Sequence, residues 1–377
     1  MEFRDLKSQY IKYKSQIDEA MINVALDANY IMGMPVFELE EQLARYVGVK
    51  HCITCANGTD ALTLVMMAYN IKEGDAVFVP DFTFFSSAEI IAFEGATPIL
   101  VDVDKDTFNI DTNKLELAIQ KVNEEGKLKA KAIIAVDLFG LPANYNELEC
   151  IANQYDLLLI EDAAQGFGGS IGNRKACSFG NIATTSFFPA KPLGCYGDGG
   201  AIFTNDYNID KLLRSLRVHG KGESKYDNVR LGINSRLDTI QAAILQVKLK
   251  AFIDHELDDV NRIYKLYSDR LKDIVDTPFI PVGYYSSFAQ YTIKLRDKEQ
   301  RDILQLKLKE KGIPTMVYYQ KPMHKQLAFK YLNCNDSEFD ITNMLCDCVL
   351  SLPMHPYLTI DEIDTICESI KSILKIK

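Results

Sequence analysis

Short apolar runs alternate with amphipathic stretches along the first two thirds of the chain. Seven runs are short, rich in β-branched and aromatic residues and apolar on both faces: HCITCA (51–56), DAVFVP (75–80), TPILVDV (97–103), KAIIAVDLF (131–139), LLLIEDAA (157–164), IATTSFF (182–188) and GAIFTN (200–205). Between most of them lie helical patterns, at 59–70, 86–94, 113–123 and 144–155, and two more precede the first run, at 8–28 and 38–47. Strands without a polar face, separated by helices, imply an α/β fold with a mostly parallel seven-stranded sheet covered on both sides. A long helical stretch follows from about 236 to 272. Beyond it AQYTIKL (289–295), a helix near 298–311, VLSLP (349–353) and a last helix near 360–375 read as a smaller C-terminal α+β domain. The expected division is therefore 1–250, with the N-terminal helices and the large domain, and 251–377, with the connecting helix and the small one.

Composition narrows this picture by exclusion. With 47% hydrophobic and 25% charged residues, the 377-residue chain has the balance of an ordinary globular protein. A formal net charge of −10 without a long basic cluster argues against nucleic acid as a partner. No apolar run approaches membrane-spanning length, and the opening MEFRDLKSQY lacks the apolar core of a signal peptide, so neither membrane nor export is expected. Nine cysteines, an odd number, then imply reduced thiols and a cytoplasmic location. Cys52-x-x-Cys55 lies in an apolar run and reads as a pair of buried strand cysteines rather than a redox or zinc pair; no metal site is expected.

Candidate chemistry gathers where strands end, because ligands of open α/β sheets collect at the carboxyl edge. After HCITCA, Asn57-Gly58-Thr59-Asp60 opens a helix, which suits an anion near exposed amides; an ordinary glycine turn capped by Thr59 or Asp60 fits equally. Asp162 closes an apolar strand and needs a cation, a protonated ring nitrogen or a structural partner. Phe84, in DFTFF, offers either a core ring or a stacking surface for a planar ligand. The most unusual residue is Lys191, in TSFFPAKPLGCYGDGGA (185–201), a lysine without neighbouring charges in an apolar, glycine-rich loop. Desolvation lowers the basicity of such an amine and makes it a nucleophile toward carbonyls. Together these parts describe a flat, cationic, phosphorylated aldehyde, and pyridoxal 5'-phosphate fits each: phosphate on Gly58, Thr59 and Ser186, ring nitrogen on Asp162, ring face on Phe84, Schiff base with Lys191.

The same stretches carry a resemblance. NGTDAL (57–62), VPDFTFFSSA (79–88), IEDAAQ (160–165), SFFPAKPLGCYGDGGA (186–201), LGINSRLDTIQAAIL (231–245), VYYQKPMHKQ (317–326) and SLPMHPYL (351–358) resemble the DegT/StrS family of pyridoxal-phosphate-dependent nucleotide-sugar aminotransferases, over essentially the full length. The resemblance implies the type I (aspartate aminotransferase) fold and assigns roles by position. Lys191 falls on the Schiff-base lysine, Asp162 on the partner of the ring nitrogen and Gln165 on the glutamine beside the ring. Gly58, Thr59, Asp60 and Ser186 fall on the phosphate site and Phe84 on the stacking aromatic. Asn234 falls on the residue that reaches the cofactor phosphate of a neighbouring subunit, which implies a homodimer with shared active sites.

Within the family the chain is most similar to the UDP-sugar 3-aminotransferases of bacterial O-antigen pathways, which aminate UDP-2-acetamido-2-deoxy-3-oxo-glucuronate with glutamate as donor. Arg236 is then placed to meet a substrate carboxylate, and Tyr30, Tyr318, Tyr319 and His324 to line the sugar-nucleotide site; Tyr318 stands where those enzymes tend to have histidine. A 3- or 4-keto deoxysugar on UDP or dTDP is an alternative substrate. Three other readings compete. Relatives with histidine in place of the lysine are dehydratases, which Lys191 argues against. Some relatives are linked to sensory roles. A nucleotide-dependent dehydrogenase lacks its G-x-G-x-x-G after the first strand.

Overall fold

A computed structural model describes residues 1–224 and 226–374. All seven apolar runs become strands of one sheet: β1 (His51–Cys55), β2 (Asp75–Pro80), β3 (Thr97–Val101), β4 (Lys129–Val136), β5 (Leu158–Asp162), β6 (Ile182–Ser186) and β7 (Gly200–Thr204). Their order across the sheet is β1-β7-β6-β5-β4-β2-β3. Neighbours pair in parallel except β7, which runs against both β1 and β6. β1 to β6 therefore end along one edge.

Helices cover both faces, as strands buried on both sides require. Alternate residues of β2 separate the two cores. Val77 and Val79 pack with α3 (Gly58–Ala68) and α4 (Phe85–Phe93). Ala76 and Phe78 pack with α5 (Thr112–Glu125) and α6 (Tyr145–Gln154). The two helices before the sheet are Leu6–Asp27 and Met34–Val47; Pro35 occupies the first turn of the second, a position where its missing N–H is harmless, so that helix begins earlier than its apolar pattern. Cys52 and Cys55 lie buried in β1, and burial pushes both thiols upward.

Two helices were not anticipated. Tyr207–Leu216 follows β7 and buries Leu213 and Leu216, its first turn capped by the Asp206 carboxylate. Asp340–Cys348 precedes the last strand and buries Leu345, Cys346 and Cys348.

The expected long helix is continuous but starts later, as Thr239–Ala251, a π turn at Phe252–Glu256, and Leu257–Leu271. Residues 236–238 stay out of the helix because Asp238 bridges to Ile31 and the Thr239 N–H donates to the Tyr30 carbonyl at 2.9 Å. Beyond it β8 (Tyr291–Lys294) and β9 (Val349–Leu352) pair antiparallel. With Lys298–Glu310 and Ile360–Leu374 they enclose a separate core of Tyr267, Tyr291, Leu304, Leu350 and Ile366. Residue 375, the last of the expected final helix, lies outside the described residues. Among the described residues no helix is long and apolar enough to cross a membrane.

Candidate active site

The carboxyl edge of the sheet opens into a cavity of about 820 Å³. Its floor is the turn from β1 into α3. Asn57, extended, caps α3 with its side chain on the Asp60 N–H at 2.8 Å, so neither Thr59 nor Asp60 is the cap. The first amides of a helix have no partner inside it. With Asp60 satisfied, Gly58 and Thr59 present theirs to the cavity. The turn must be glycine-rich for steric reasons: a Cβ on Gly58 would stand 2.7 Å from Ser186 Cβ, and one on Gly200 would stand 2.5 Å from the Asn57 carbonyl oxygen. Ser186 ends β6 against this turn and faces the same cavity.

β5 delivers the acid. Because strand residues alternate in direction, Glu161 and Asp162 point to opposite faces. Glu161 accepts the Cys177 and Phe179 N–H groups at 2.6 and 2.8 Å, whereas Asp162 reaches the cavity. Asp162 accepts the Ser87 hydroxyl at 2.7 Å and the Ala164 N–H at 3.1 Å. Burial raises its pKa above the usual carboxylate value; those two bonds and the charge of Lys191 work against the rise. A cation at this carboxylate would further favour its ionised form.

Lys191 lies across the cavity in the loop after β6. Its side chain is half-buried and lines the cavity. Burial lowers its pKa from the usual lysine value, and the Asp162 carboxylate is the one charge that opposes this. Among the described residues its Nζ has no hydrogen-bond partner. Both features favour the neutral, nucleophilic form of the amine over that of an ordinary exposed lysine.

Two aromatic walls complete the space. Phe84, directly before α4, is 54% exposed, and the surface it shows lines the cavity, whereas Phe82 is packed in the core. Gln165 is fixed at both ends: its Oε1 accepts the Phe139 N–H at 2.8 Å and its Nε2 donates to the Tyr319 hydroxyl at 3.1 Å. Tyr318 and Tyr319 also line the cavity, the Tyr319 ring 6.5 Å from that of Phe84.

The structure thus brings together Gly58, Thr59, Phe84, Asp162, Gln165, Ser186, Lys191, Tyr318 and Tyr319. Five expected residues stand elsewhere. Asp60 lies in the first turn of α3 without lining the cavity. His324 does not line the cavity: its Nδ1 meets Asp81 at 2.6 Å, its Nε2 meets Asp336 at 2.9 Å, and its ring stacks on Phe339 at 4.4 Å. Both nitrogens are thereby occupied by carboxylates of this chain. Tyr30, Asn234 and Arg236 lie on two segments zipped together through Tyr30 and Thr239. Tyr30 and Asn234 are exposed, and half-buried Arg236 makes no hydrogen bond or ion pair among the described residues. Sequence reasoning missed Ser87, which stood in a quoted motif, and Asp198, Gln290 and Lys321, which also line the cavity.

The donor set fits pyridoxal phosphate: free helix-start amides with the Ser186 hydroxyl for the phosphate, a buried carboxylate for a ring cation, an exposed ring face at Phe84 and an unbonded amine at Lys191. Comparison with known proteins agrees. The profile of the DegT/DnrJ/EryC1/StrS aminotransferase family matches residues 12–371. A UDP-2-acetamido-2-deoxy-3-oxo-D-glucuronate aminotransferase of Pseudomonas aeruginosa is 43% identical over 371 residues, 98% of this chain and 99% of that protein. The crystal structure of a DegT DnrJ EryC1 StrS aminotransferase from Brucella abortus superposes with a TM-score of 0.96 at 47% identity, covering 100% of both chains. DesV of S. venezuelae, crystallised with a ketimine intermediate, superposes with a TM-score of 0.94 at 29% identity, covering 100% of this chain and 99% of that one.

Proposed function

The chain belongs to the DegT/DnrJ/EryC1/StrS aminotransferase family, and on that premise we propose that it transfers an amino group from glutamate to a UDP-linked 3-oxo sugar such as UDP-2-acetamido-2-deoxy-3-oxo-glucuronate. It is a nucleotide-sugar aminotransferase, and its cofactor is pyridoxal phosphate. The observation that carries the reading is the pairing of one unbonded, desolvated lysine with one buried aspartate across a single cavity.

Bound pyridoxal phosphate supplies the carbonyl that carries nitrogen between the two substrates and a ring that accepts electrons. The protein does the rest. Gly58, Thr59 and Ser186 hold the phosphate, and Asp162, oriented by Ser87, keeps a proton on its cationic partner. Lys191 Nζ takes a proton from the donor's α-carbon in the first half-reaction and returns one to the sugar carbon in the second. Phe84 and Tyr319 exclude water from one side of the space where this happens.

The positions of Tyr30, Asn234 and Arg236 support a homodimer in which these residues serve the neighbour's cavity. Ile22, Leu26, Tyr30, Met34 and Phe37, close together in sequence, are exposed apolar side chains that a second copy would cover. A UDP-linked amino sugar as product would suit a cytoplasmic enzyme that serves assembly of a bacterial cell-surface polysaccharide. The test is to convert the holoenzyme to its aminated form with glutamate, add UDP- and dTDP-linked 3- and 4-keto sugars one at a time, and follow recovery of the aldehyde-form spectrum. The UDP-3-oxo uronate should restore it fastest; faster recovery with a dTDP-linked or 4-keto sugar would replace this substrate assignment.

A further inference from the structure

Behind Lys191, on the side away from the cavity, lies a second polar cluster. Residues 2–5 cross the back of the 187–195 loop, and Arg4 Nη2 donates to the Lys191 carbonyl oxygen at 2.9 Å while its Nη1 reaches the Met354 carbonyl at 3.3 Å. Further round the loop, the Lys248 ammonium donates to the Gly194 carbonyl. Lys248 is 2% exposed, which is unusual for a lysine. The charge of Glu256, itself 4% exposed, favours the charged form of both cations without an ion pair to either among the described residues, and Glu256 accepts the Gln9 amide at 3.0 Å and the Tyr357 hydroxyl. Glu256 is the last residue of the π turn that interrupts the long helix, and π turns of this kind recur at functional sites.

A buried or half-buried cation is unfavourable unless acceptors complete its shell. Here two of the acceptors are peptide carbonyls of the loop that carries Lys191, and the third is the Met354 carbonyl. Inside the loop, the Lys191 N–H bonds the Phe188 carbonyl and the Cys195 N–H bonds the Phe187 carbonyl, both at 2.8 Å. A Cβ on Gly194 would stand 2.4 Å from the Pro189 carbonyl oxygen, so the loop admits little freedom on its inner side. The Arg4 and Lys248 bonds fix its outer side.

We propose that Arg4 and Lys248 are positioning residues for Lys191: they hold its loop by the carbonyls of residues 191 and 194 and so set where its amine stands in the cavity. The significance of this rests on Lys191 being the reactive amine. A displacement of about 1 Å in a reacting group can cost roughly a hundredfold in rate.

The experiment uses the cofactor-free full chain, so its outcome does not depend on the function assigned above. Hydrogen exchange is measured by mass spectrometry for Arg4→Leu, Arg4→Lys and Lys248→Met beside the unaltered protein. Arg4→Leu and Lys248→Met should raise exchange in the 187–195 peptides by roughly tenfold while β4 and β5 keep their protection, and Arg4→Lys should restore part of it. In the holoenzyme the same two variants should lower kcat by roughly tenfold with little change in KM for glutamate. Unchanged exchange in 187–195, or a loss of protection shared equally by the central strands, would overturn the inference. Local loosening with unchanged kcat would also overturn it, and would point to Lys191 not being the reactive amine.

Discussion

At the scale of residues, two lysines show what a site requires of its surroundings. Lys191 and Lys248 are both desolvated, and burial brings Lys248 down to about 8. Lys248 Nζ is spent on the Gly194 carbonyl, whereas Lys191 Nζ has no such bond and faces Asp162 across a cavity. Lys191→Ala should abolish amino transfer and the long-wavelength absorbance of bound cofactor, and a coupled glutamate-dependent assay with a spectrum checks both. Asp162 raises the Lys191 pKa against burial, so Asp162→Asn should move it further down in the cofactor-free protein. The pH dependence of acetylation at Lys191, followed by mass spectrometry, measures this. The same variant should slow turnover by about 10²–10³, the scale of losing one preorganised charge.

His324 yields a different residue-scale prediction. Burial works against its charged ring, but the Asp81 and Asp336 carboxylates outweigh it and the pKa is raised from the usual 6.5. The folded state therefore binds this proton more tightly than the unfolded chain, and the stabilisation is complete below the ordinary histidine value and lost as pH rises through the higher folded one. His324→Gln should flatten the fall of Tm on the alkaline side of pH 6.5, seen by melting the two proteins from pH 6 to pH 9.

Elements show why the turn after β1 must have its sequence. Gly58→Ala places a methyl group 2.7 Å from Ser186 Cβ, and crowding of this kind costs about 1–3 kcal/mol. Titration of the apoprotein with pyridoxal phosphate should give a Kd about ten- to hundredfold weaker, and an unchanged Kd would refute the steric account. The strands were legible because a buried parallel sheet writes itself as short, uninterrupted apolar runs, and so were Gly58, Asp162, Ser186 and Lys191, which follow such runs. The helix at Tyr207–Leu216 was missed although its Asp206 cap and its Leu213 and Leu216 spacing were present; it is short, ten residues directly after a strand. Ser87 was invisible as a partner of Asp162: the contact joins residues 75 positions apart, and only the fold brings them together. The same limit hid the neighbours of His324, since Asp81 and Asp336 come from distant parts of the chain. The π turn at Phe252–Glu256 has no apolar signature, so a single helix was the natural reading.

On the scale of the whole molecule, the cavity draws on α3 and the turn before it, β5, β6, α4 and the Tyr318–Tyr319 segment, and the homodimer adds a second chain to that list under the proposed function. Mixing Lys191→Ala with an Asn234→Ala/Arg236→Ala double variant, after dissociation and reassembly, should restore about a quarter of the unaltered activity, because half the dimers would hold one intact shared site. No recovery would mean that Asn234 and Arg236 serve their own chain. The most direct test of the central claim is reduction of the holoprotein with borohydride followed by peptide mass spectrometry. The account predicts the pyridoxyl group on Lys191 alone; its appearance on Lys248 or another lysine, with Lys191 unmodified, would contradict it.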